Sequence, residues 1–180
     1  TMTNNMEILI PEYKIERRVR AMAHRLSEEH KSSGNSLPPV MICVLNGSFM
    51  FFSDLVKDMG IDIEVDFIRP KSYHGKDNSS GVTFTKELEI DLKGKRVYII
   101  EDIVDTGLTL DWLSGNLKSR GAKSVEIMTV LRKPDSAQVN VDVKYVGFDI
   151  PKDFVIGYGL DFNEKYRNLP FIGVLAKHMY

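Results

Sequence analysis

The sequence predicts an α/β fold with a central, mainly parallel sheet flanked by helices. Two stretches, 40–68 and 97–131, each have the order strand, helix, strand, and such βαβ units require parallel strands with a helix packed on the sheet. The strand segment 97–100 is short, continuously apolar and rich in β-branched residues, as expected of a strand buried on both faces. A length of 180 residues, of which 43% are hydrophobic, indicates one domain with a full core.

The N-terminal part predicts an amphipathic helix over 13–29. Its apolar residues recur at helical spacing and share one face: Ile15, Val19, Met22, Ala23 and Leu26. The polar run 31–36 then ends the helix.

The first βαβ unit comes next. It consists of a strand over 40–45, a helix that continues through Lys57 and ends near Gly60, and a strand over 63–68. The polar segment 72–80 has two interpretations that the sequence supports equally, a mobile loop and an ordinary surface hairpin.

The second βαβ unit carries acidic residues where its first strand ends. A strand is predicted over 97–100, and the carboxylates Glu101 and Asp102 follow it directly. After a short polar loop, a helix is predicted over 109–120 and a further strand over 125–131.

The C-terminal part predicts a small antiparallel cap. Three short apolar runs, at 145–148, 154–156 and 172–175, are separated by turn residues. Turns of that kind connect antiparallel strands.

Composition argues against several classes of function. A net charge of -1 lacks the broad basic surface that nucleic-acid binding needs. No apolar stretch reaches the ~18 residues of a membrane span, and the N-terminal residues show no export signal, so we expect a cytoplasmic protein with no membrane partner. Cys43 is the single cysteine, and its place inside a strand predicts a small core residue rather than a disulfide, a zinc ligand or a catalytic thiol.

An anion site is predicted where the acidic strand end meets the next helix. Free backbone N–H groups and the helix dipole favour an anion there, and Thr106 and Thr109 add hydroxyl donors. A phosphate fits such a loop, but Glu101, Asp102 and Asp105 then need another role, such as binding sugar hydroxyls, a cation or a proton. In the alternative interpretation, the first two are solvated charges and Asp105 is an N-cap.

One segment resembles the phosphoribosyl-pyrophosphate (PRPP) binding motif of type I phosphoribosyltransferases, most closely that of the hypoxanthine-guanine family: Glu101-Asp102-Ile103-Val104-Asp105-Thr106-Gly107-Leu108-Thr109. That family joins a free purine base to PRPP, with magnesium, and releases pyrophosphate. The resemblance implies the type I phosphoribosyltransferase fold, purine base and PRPP as substrates, Mg²⁺ as cofactor, and a homodimer or homotetramer. It also implies a single domain over 1–180, with a core at about 37–150 and a small hood from about 1–12 and 151–180.

The resemblance implies that the acidic segment binds the ribose 5-phosphate half of PRPP through Glu101, Asp102, Asp105, Thr106, Gly107, Leu108 and Thr109. Glu101 and Asp102 would hold the ribose hydroxyls and the metal, with Asp161 as a third metal contact, since hard oxygen ligands suit Mg²⁺. Asp105 would be the catalytic residue that takes the proton from N7 of the purine as N9 attacks C1 of the ribose.

The resemblance implies a pyrophosphate site at Asn46, Gly47 and Arg167. Many family members carry a basic residue in place of Asn46, so backbone N–H groups would do more of the binding here. In that family the peptide between the residues that match Leu45 and Asn46 can be cis. Arg167 belongs to a second family signature and offers a fixed fork of donors. The alternative for the first loop is an Asn-Gly turn followed by Ser48 as an N-cap.

The resemblance implies a purine site at Lys133, Phe154, Val155 and Asp161. Lys133 resembles the lysine that donates to the exocyclic oxygen of a 6-oxopurine, which favours hypoxanthine or guanine over adenine. Phe154 matches the aromatic residue that stacks on the base, and the backbone of Val155 would bind the base edge.

A flexible lid is also implied, because Ser72 and Tyr73 match the start of the family's catalytic loop. Closure of such a loop excludes water from the oxocarbenium-like centre that forms when the bond to pyrophosphate breaks.

Two other functions share parts of this pattern. A regulator with the same fold would bind nucleotide and RNA or DNA without turnover, but it would not need Asp105 or the lid. A phospho-acceptor signalling domain would explain the acidic strand end but not Lys133, Phe154 and Arg167. The sequence therefore favours the enzyme.

Overall fold

Two β-sheets and three α-helices organise the residues that the computed structural model describes, 5–74 and 80–180. In chain order the elements are β1 (Met6–Ile10), α1 (Glu12–Ser32), β2 (Val40–Val44), α2 (Phe49–Lys57), β3 (Glu64–His74), β4 (Ser80–Lys86), β5 (Arg96–Val104), α3 (Leu108–Ser119), β6 (Ser124–Arg132), β7 (Tyr145–Asp149), β8 (Val155–Ile156) and β9 (Ile172–Leu175). Residues 1–4 of the expected hood segment 1–12 lie outside this description.

The larger sheet has the strand order β4-β3-β2-β5-β6-β7 and is parallel except for β4, which runs antiparallel to β3. The smaller sheet is antiparallel, with the order β1-β9-β8. The predicted α/β fold with a mainly parallel sheet is therefore confirmed. None of the helices within 5–74 and 80–180 is long and apolar enough to cross a membrane.

Helices cover both faces of the larger sheet. Met41 and Cys43 of β2 pack with the apolar side chains of α1 and α2, whereas Val40 and Ile42 pack with those of α3. All four residues are fully buried. This two-sided burial explains the continuous apolar run, because both alternating sets of side chains face protein.

The central strand β5 is longer than predicted. It continues to Val104, past the expected end at Ile100, and its pairing with β6 includes Glu101 and Ile103. Glu101 and Asp102 therefore lie within a hydrogen-bonded strand, not after it, and the strand pairing holds their backbone in place.

One part of the predicted cap is wrong. The run 145–148 lies in β7, an edge strand of the larger sheet, where it runs parallel to β6 with Tyr145 opposite Met128. Tyr145 is buried with the side chains of α1, so this run belongs to the main core. A short apolar run does not indicate which sheet it joins. The runs 154–156 and 172–175 do contain the antiparallel strands β8 and β9, as predicted.

The polar segment 72–80 begins and ends in paired strands. β3 extends to His74, and Ser72 lies opposite Val82 of the antiparallel neighbour β4. The described residues thus form the two sides of a hairpin. Residues 75–79, on which the mobile-loop interpretation mainly depended, lie outside the described residues.

A half-buried carboxylate, that of Glu29, lies at the amino ends of β5 and β7. Glu29 of α1 accepts hydrogen bonds from Arg96 Nη2 (3.1 Å), from Tyr98 Oη (3.3 Å), and from Lys144 and Tyr145. Burial opposes the charged form, but hydrogen bonds from Lys144 and Tyr145, with the charges of Lys144 and Arg96, leave the pKa of Glu29 below its usual value. Glu29 therefore ties α1 to β5 and β7.

The Glu29→Ala variant should lose about 2 to 3 kcal/mol of unfolding free energy at neutral pH, because its buried donors lose their acceptor. A lowered pKa means that the carboxylate stabilises the fold above its ordinary pKa, and that this contribution is lost as the pH falls through the lowered value. Urea denaturation should therefore show a smaller difference between variant and wild type at about pH 3 than at about pH 7.

The matched control is Glu28→Ala. Glu28 is exposed and pairs with Lys31 at 3.1 Å on the helix surface. This control should change the unfolding free energy by less than about 0.5 kcal/mol. A Glu29 variant as stable as the Glu28 variant would contradict the role given to Glu29.

Candidate active site

The predicted site residues gather beyond the carboxyl ends of the parallel strands, where ligands bind in open α/β sheets. Asn46 and Gly47 follow β2, Glu101 and Asp102 lie near the end of β5, and Lys133 follows β6. These three strands are close in the sheet, with β5 between β2 and β6. The topology therefore brings the expected pyrophosphate, ribose and purine residues to one edge.

Glu101 and Asp102 form a half-buried carboxylate pair with a high cost of ionisation. Neither makes a salt bridge within the described ranges 5–74 and 80–180. Burial raises the pKa of both groups, and the adjacent Asp102 charge raises that of Glu101 further. The backbone N–H of Ile103 donates to Asp102 Oδ1 at 2.7 Å, which favours the ionised form of that one carboxylate. Both carboxyl groups therefore resist ionisation, and Asp102 resists it less, because Glu101 and the charge of Arg167 also favour its ionised form.

The pair fits a divalent cation that brings other oxygen ligands with it. The described residues contain no group of three acidic, histidine or cysteine side chains that could hold a metal. Mg²⁺ is commonly bound by only one or two carboxylates, with waters and substrate phosphates as the other ligands. Two adjacent carboxylates with no salt bridge among the described residues match that donor set.

The phosphate loop is held open by Gly107, whose φ of 84° favours glycine. A Cβ there would lie 2.9 Å from Val141 and 3.2 Å from Val139, so the loop after β6 packs directly behind it. Helical bonding in α3 begins with Asp111 N to Gly107 O at 2.9 Å, and the earlier N–H groups of the helix have no helical partner. A cavity of about 150 Å³ lies in front of them, lined by Glu101 and 103–110.

Asp105 and Lys133 both line a second cavity, also of about 150 Å³. Asp105 is exposed, and its carboxylate makes no hydrogen bond with the residues that the structure describes. The backbone N–H of Lys133 donates to Val104 O at 2.9 Å, which fixes the lysine beside the end of β5. A carboxylate residue and an ammonium residue thus line the same cavity.

Gly47 brings the first loop into contact with the carboxylate pair. The peptide between Leu45 and Asn46 is cis, as the resemblance implied. A Cβ at Gly47 would lie 1.8 Å from Asp102 Oδ2, so no other residue fits without moving that carboxylate. Asn46 is exposed and contributes no charge.

Cys43 lies behind this loop and is a core residue, as predicted. Its Sγ is 3.4 Å from the hydroxyl of Ser48, which donates to Val44 O. Burial raises the pKa of the thiol to about 11. A neutral thiol of this kind is not a nucleophile.

Arg167 reaches the same place from the C-terminal part of the chain. Its Nη1 donates to Gly159 O at 2.8 Å, and a Cβ at Gly159 would lie 2.1 Å from Gly47 O. Gly159 therefore connects Arg167 to the loop that contains Gly47. Asp161 is 3.5 Å from Arg167 Nη2 and accepts from Glu164 N at 2.9 Å, so the structure pairs it with the arginine rather than with Glu101 and Asp102.

Val155 begins β8 of the smaller sheet, and Phe154 directly precedes it. Val155 is buried and pairs with Val174 of β9. The half-buried Phe154 ring has its centroid 4.8 Å from that of Tyr180 and 5.7 Å from that of Phe162. An aromatic cluster thus supports the ring that is expected to stack on the purine.

Of the expected lid residues, Ser72 lies against the phosphate loop. Its Oγ is 3.4 Å from Thr109 Oγ1. The backbone of Tyr73 pairs with Gly81. The start of the hairpin is therefore in contact with the start of α3.

The sequence analysis missed Gly159 and the loop residues Val139 and Val141. The Gly-Tyr-Gly sequence at 157–159 was a usable signal, since closely spaced glycines often mark a tight backbone approach. The two valines carried no signal, because a loop after a strand shows nothing of what it packs against.

Comparisons with known proteins agree on one family. A family model described as the phosphoribosyl transferase domain matches residues 11–163. The chain is 41% identical over 178 residues to a hypoxanthine-guanine phosphoribosyltransferase of Mycobacterium tuberculosis, covering 96% of this chain and 87% of the relative. It is 41% identical over 173 residues to a hypoxanthine phosphoribosyltransferase of Escherichia coli, covering 96% of both. A crystal structure of a hypoxanthine phosphoribosyltransferase from Staphylococcus aureus superposes with a TM-score of 0.91 at 40% identity, covering 99% of this chain and 96% of that one.

The Glu101→Gln variant should be more stable than wild type by about 1 to 2 kcal/mol at neutral pH. A carboxyl group whose pKa is raised by folding destabilises the folded state at pH values above its ordinary pKa, and the amide removes that penalty. Urea denaturation at about pH 7 and at about pH 4 should show the gain shrinking in acid. The control is Asp105→Asn, at an exposed carboxylate of the same loop, and a destabilised Glu101→Gln protein would refute the electrostatic argument.

Proposed function

The chain belongs to the phosphoribosyltransferase family, with the hypoxanthine and hypoxanthine-guanine enzymes among its relatives, and we propose that it works in purine salvage. It transfers the 5-phosphoribosyl group of PRPP to N9 of a 6-oxopurine. Hypoxanthine gives IMP, guanine gives GMP, and pyrophosphate is the second product.

One contact supports this proposal above the others. At Gly47 the backbone of the first loop touches the carboxylate of Asp102, and the phosphate loop follows directly after β5. PRPP carries a 5-phosphate, ribose hydroxyls and a pyrophosphate on one small sugar. An anion loop, a carboxylate pair and a second anion loop in contact match those three groups.

Bond making and breaking occur at C1 of the ribose. N9 of the purine supplies the electron pair for the new C–N bond, and the bond from C1 to the pyrophosphate oxygen breaks, so that its electron pair leaves with pyrophosphate. The proton that the purine loses from N7 passes to Asp105, whose carboxylate is exposed and free to accept it. In the reverse direction, Asp105 returns that proton.

We assign Mg²⁺ to Glu101 and Asp102, which also hold the ribose hydroxyls. Asp161 is paired with Arg167 and would contact the metal only from that position. When bound, the cation neutralises charge on the departing pyrophosphate. The raised pKa values of the carboxylate pair support this assignment, because a cation would relieve the repulsion between the two groups.

Pyrophosphate binding depends on the backbone and on Arg167. Asn46 has no charge, so the N–H groups before α2 supply donors in the first loop. Arg167 stands beside this loop through its hydrogen bond to Gly159 and offers its remaining guanidinium donors.

The base is selected by Lys133 and supported by Phe154, with Val155 at the base edge. An ammonium donor pairs with the exocyclic oxygen of hypoxanthine or guanine, whereas adenine presents an amino group there. Water is excluded by the hairpin that begins at Ser72 and Tyr73, and the contact between Ser72 and Thr109 supports its closing over the phosphate loop.

The decisive assay supplies PRPP, Mg²⁺ and hypoxanthine, guanine or adenine, and separates the products by chromatography. We expect IMP and GMP, with AMP formation slower by at least about 100-fold. Absence of any nucleotide with every base would refute the enzyme and leave the nucleotide-binding regulator as the better interpretation.

The Asp105→Ala variant should keep its fold and lose about 10² to 10⁴ in kcat. Its fold is expected to persist because the side chain is exposed. Initial rates and a denaturation curve measure both properties. Asp111→Ala is the matched control, an exposed aspartate in the first turn of α3, and full activity of the Asp105 variant would remove this residue from the mechanism.

We infer that the enzyme assembles through an apolar patch formed by Phe49, Val65 and Phe67, which are 43%, 42% and 38% exposed. The ring centroids of Phe67 in β3 and Phe52 in α2 are 5.6 Å apart. Phe49 lies on the same side of α2 as Phe52, and Val65 lies on the same face of β3 as Phe67. A second copy of the chain would cover this surface, giving the homodimer that could pair into a homotetramer.

The Phe67→Glu variant should therefore shift the protein from dimer or tetramer to monomer, because a charge in an apolar interface is not compensated. Light scattering after gel filtration measures the mass. Leu37→Glu is the control, since Leu37 is also an exposed apolar residue, at 43%, but precedes β2 at the other end of the strand. A monomeric wild type, or an unchanged Phe67 variant, would rule out this interface.

We assign the enzyme to the cytoplasm. The buried, unpaired thiol of Cys43 is compatible with a reducing compartment. Cell fractionation with detection of the protein by antibody tests the assignment, and its recovery outside the cytoplasmic fraction would overturn it.

A further inference from the structure

We propose that Tyr158 and Asp54 form a positioning pair that sets the geometry of the pyrophosphate half of the site. Neither residue belongs to the substrate-binding set described above. The inference deepens the proposed function and rests on it. It predicts that a hydroxyl remote from the reacting atoms controls the affinity for PRPP and pyrophosphate, but not for the purine.

The first observation is a hydrogen bond between two distant segments. Tyr158 Oη donates to Asp54 Oδ2 at 2.6 Å. Tyr158 lies in the loop that carries Asp161 and Arg167, whereas Asp54 lies in α2, directly after the pyrophosphate loop. The bond therefore connects the two segments that are expected to bind pyrophosphate.

The second observation is the unusual backbone of Tyr158. Its φ is 50°, a left-handed conformation that is unfavourable by roughly 1 to 2 kcal/mol for a residue with a side chain. The side chain is only 4% exposed. Burial of the ring and its hydrogen bond offset this cost, so the side chain holds the loop in a conformation that the backbone alone would leave.

The third observation is a second contact between the same two segments. Gly159, the next residue, approaches Gly47 so closely that a Cβ would lie 2.1 Å from Gly47 O. Arg167 Nη1 donates to Gly159 O at 2.8 Å. The loop is thus attached to α2 at Tyr158 and to the pyrophosphate loop at Gly159. Two attachments fix both its position and its rotation, and the placement of Arg167 follows from them.

The pair stands beside a cavity, and removal of the Tyr158 hydroxyl alone leaves its ring packed in the main core. The cavity has a volume of about 350 Å³ between α1 and α2, and both Tyr158 and Asp54 line it. Asp54 is also 3.5 Å from Lys57 Nζ, so its charge keeps a partner when the tyrosine hydroxyl is removed. Loss of the hydroxyl should therefore loosen the loop without unfolding the core.

The test is the Tyr158→Phe variant of the full-length protein. It keeps the ring and removes only the hydroxyl. We expect the KM for PRPP, and the KM for pyrophosphate in the reverse reaction, to rise about tenfold, as for the loss of one hydrogen bond to a charged group. The KM for hypoxanthine should stay within about twofold of wild type, since the purine residues lie elsewhere.

Three further variants separate positioning from general stability. Asp54→Ala should reproduce the effect of Tyr158→Phe, and Asp54→Asn, which retains an acceptor oxygen, should restore most of the affinity. Tyr145→Phe is the matched control, because it also removes a buried hydroxyl from a carboxylate, Glu29, at the opposite edge of the sheet. It should lower stability and leave every KM unchanged.

A Tyr158→Phe enzyme with the wild-type KM for PRPP overturns the inference, and so does an equal rise in the KM for hypoxanthine or in the Tyr145→Phe control. If the wild type forms no nucleotide, the proposed function fails instead. Calorimetric titration with magnesium pyrophosphate then tests the pair without turnover, and equal affinity in wild type and Tyr158→Phe rejects it.

Discussion

The approach of the Gly47 backbone to the Asp102 carboxylate is the constraint on which the site depends. Gly47 also receives Gly159 on its carbonyl side, so three segments far apart in sequence meet at atoms too close for any side chain. A methyl group at either glycine would push apart the pyrophosphate loop, the carboxylate pair and the loop that carries Arg167. These contacts hold the parts of the site together, although they come from the loop after β2, from β5 and from the loop that carries Arg167.

The carboxylate pair shows that this site is built for a ligand rather than for stability. Glu101 and Asp102 lie half-buried beside each other, and burial raises the pKa of both groups. Neither group makes a salt bridge within the described residues, and the charge of Arg167 offsets only part of the cost at Asp102. Strand pairing through β5 holds both groups in place, as expected of a site whose raised pKa values serve a ligand.

The parallel sheet and the acidic loop could be predicted from sequence because their causes are local. Strands such as β2 show their two-sided burial as a continuous apolar run, and 101–109 places its carboxylates and glycine within one short motif. The placement of β7 and the role of Gly159 could not, because both depend on partners far along the chain. The bond from Tyr158 to Asp54 gave no signal either, since the two residues are 104 positions apart and neither local sequence indicates the other as a partner.

Carboxylates at the amino ends and at the carboxyl ends of the parallel strands have opposite pKa shifts. The contrast separates the groups that stabilise the fold from those of the candidate site. Glu29 is surrounded by donors where β5 and β7 begin, and its pKa is lowered. Glu101 and Asp102 lie at the other end of the same strand β5, and burial raises their pKa values. Both places lie along β5. The interactions of Glu29 at the start of this strand therefore help to hold Glu101 and Asp102 in register near its end. Such compensation within one element lets the fold tolerate an active site that would otherwise weaken it.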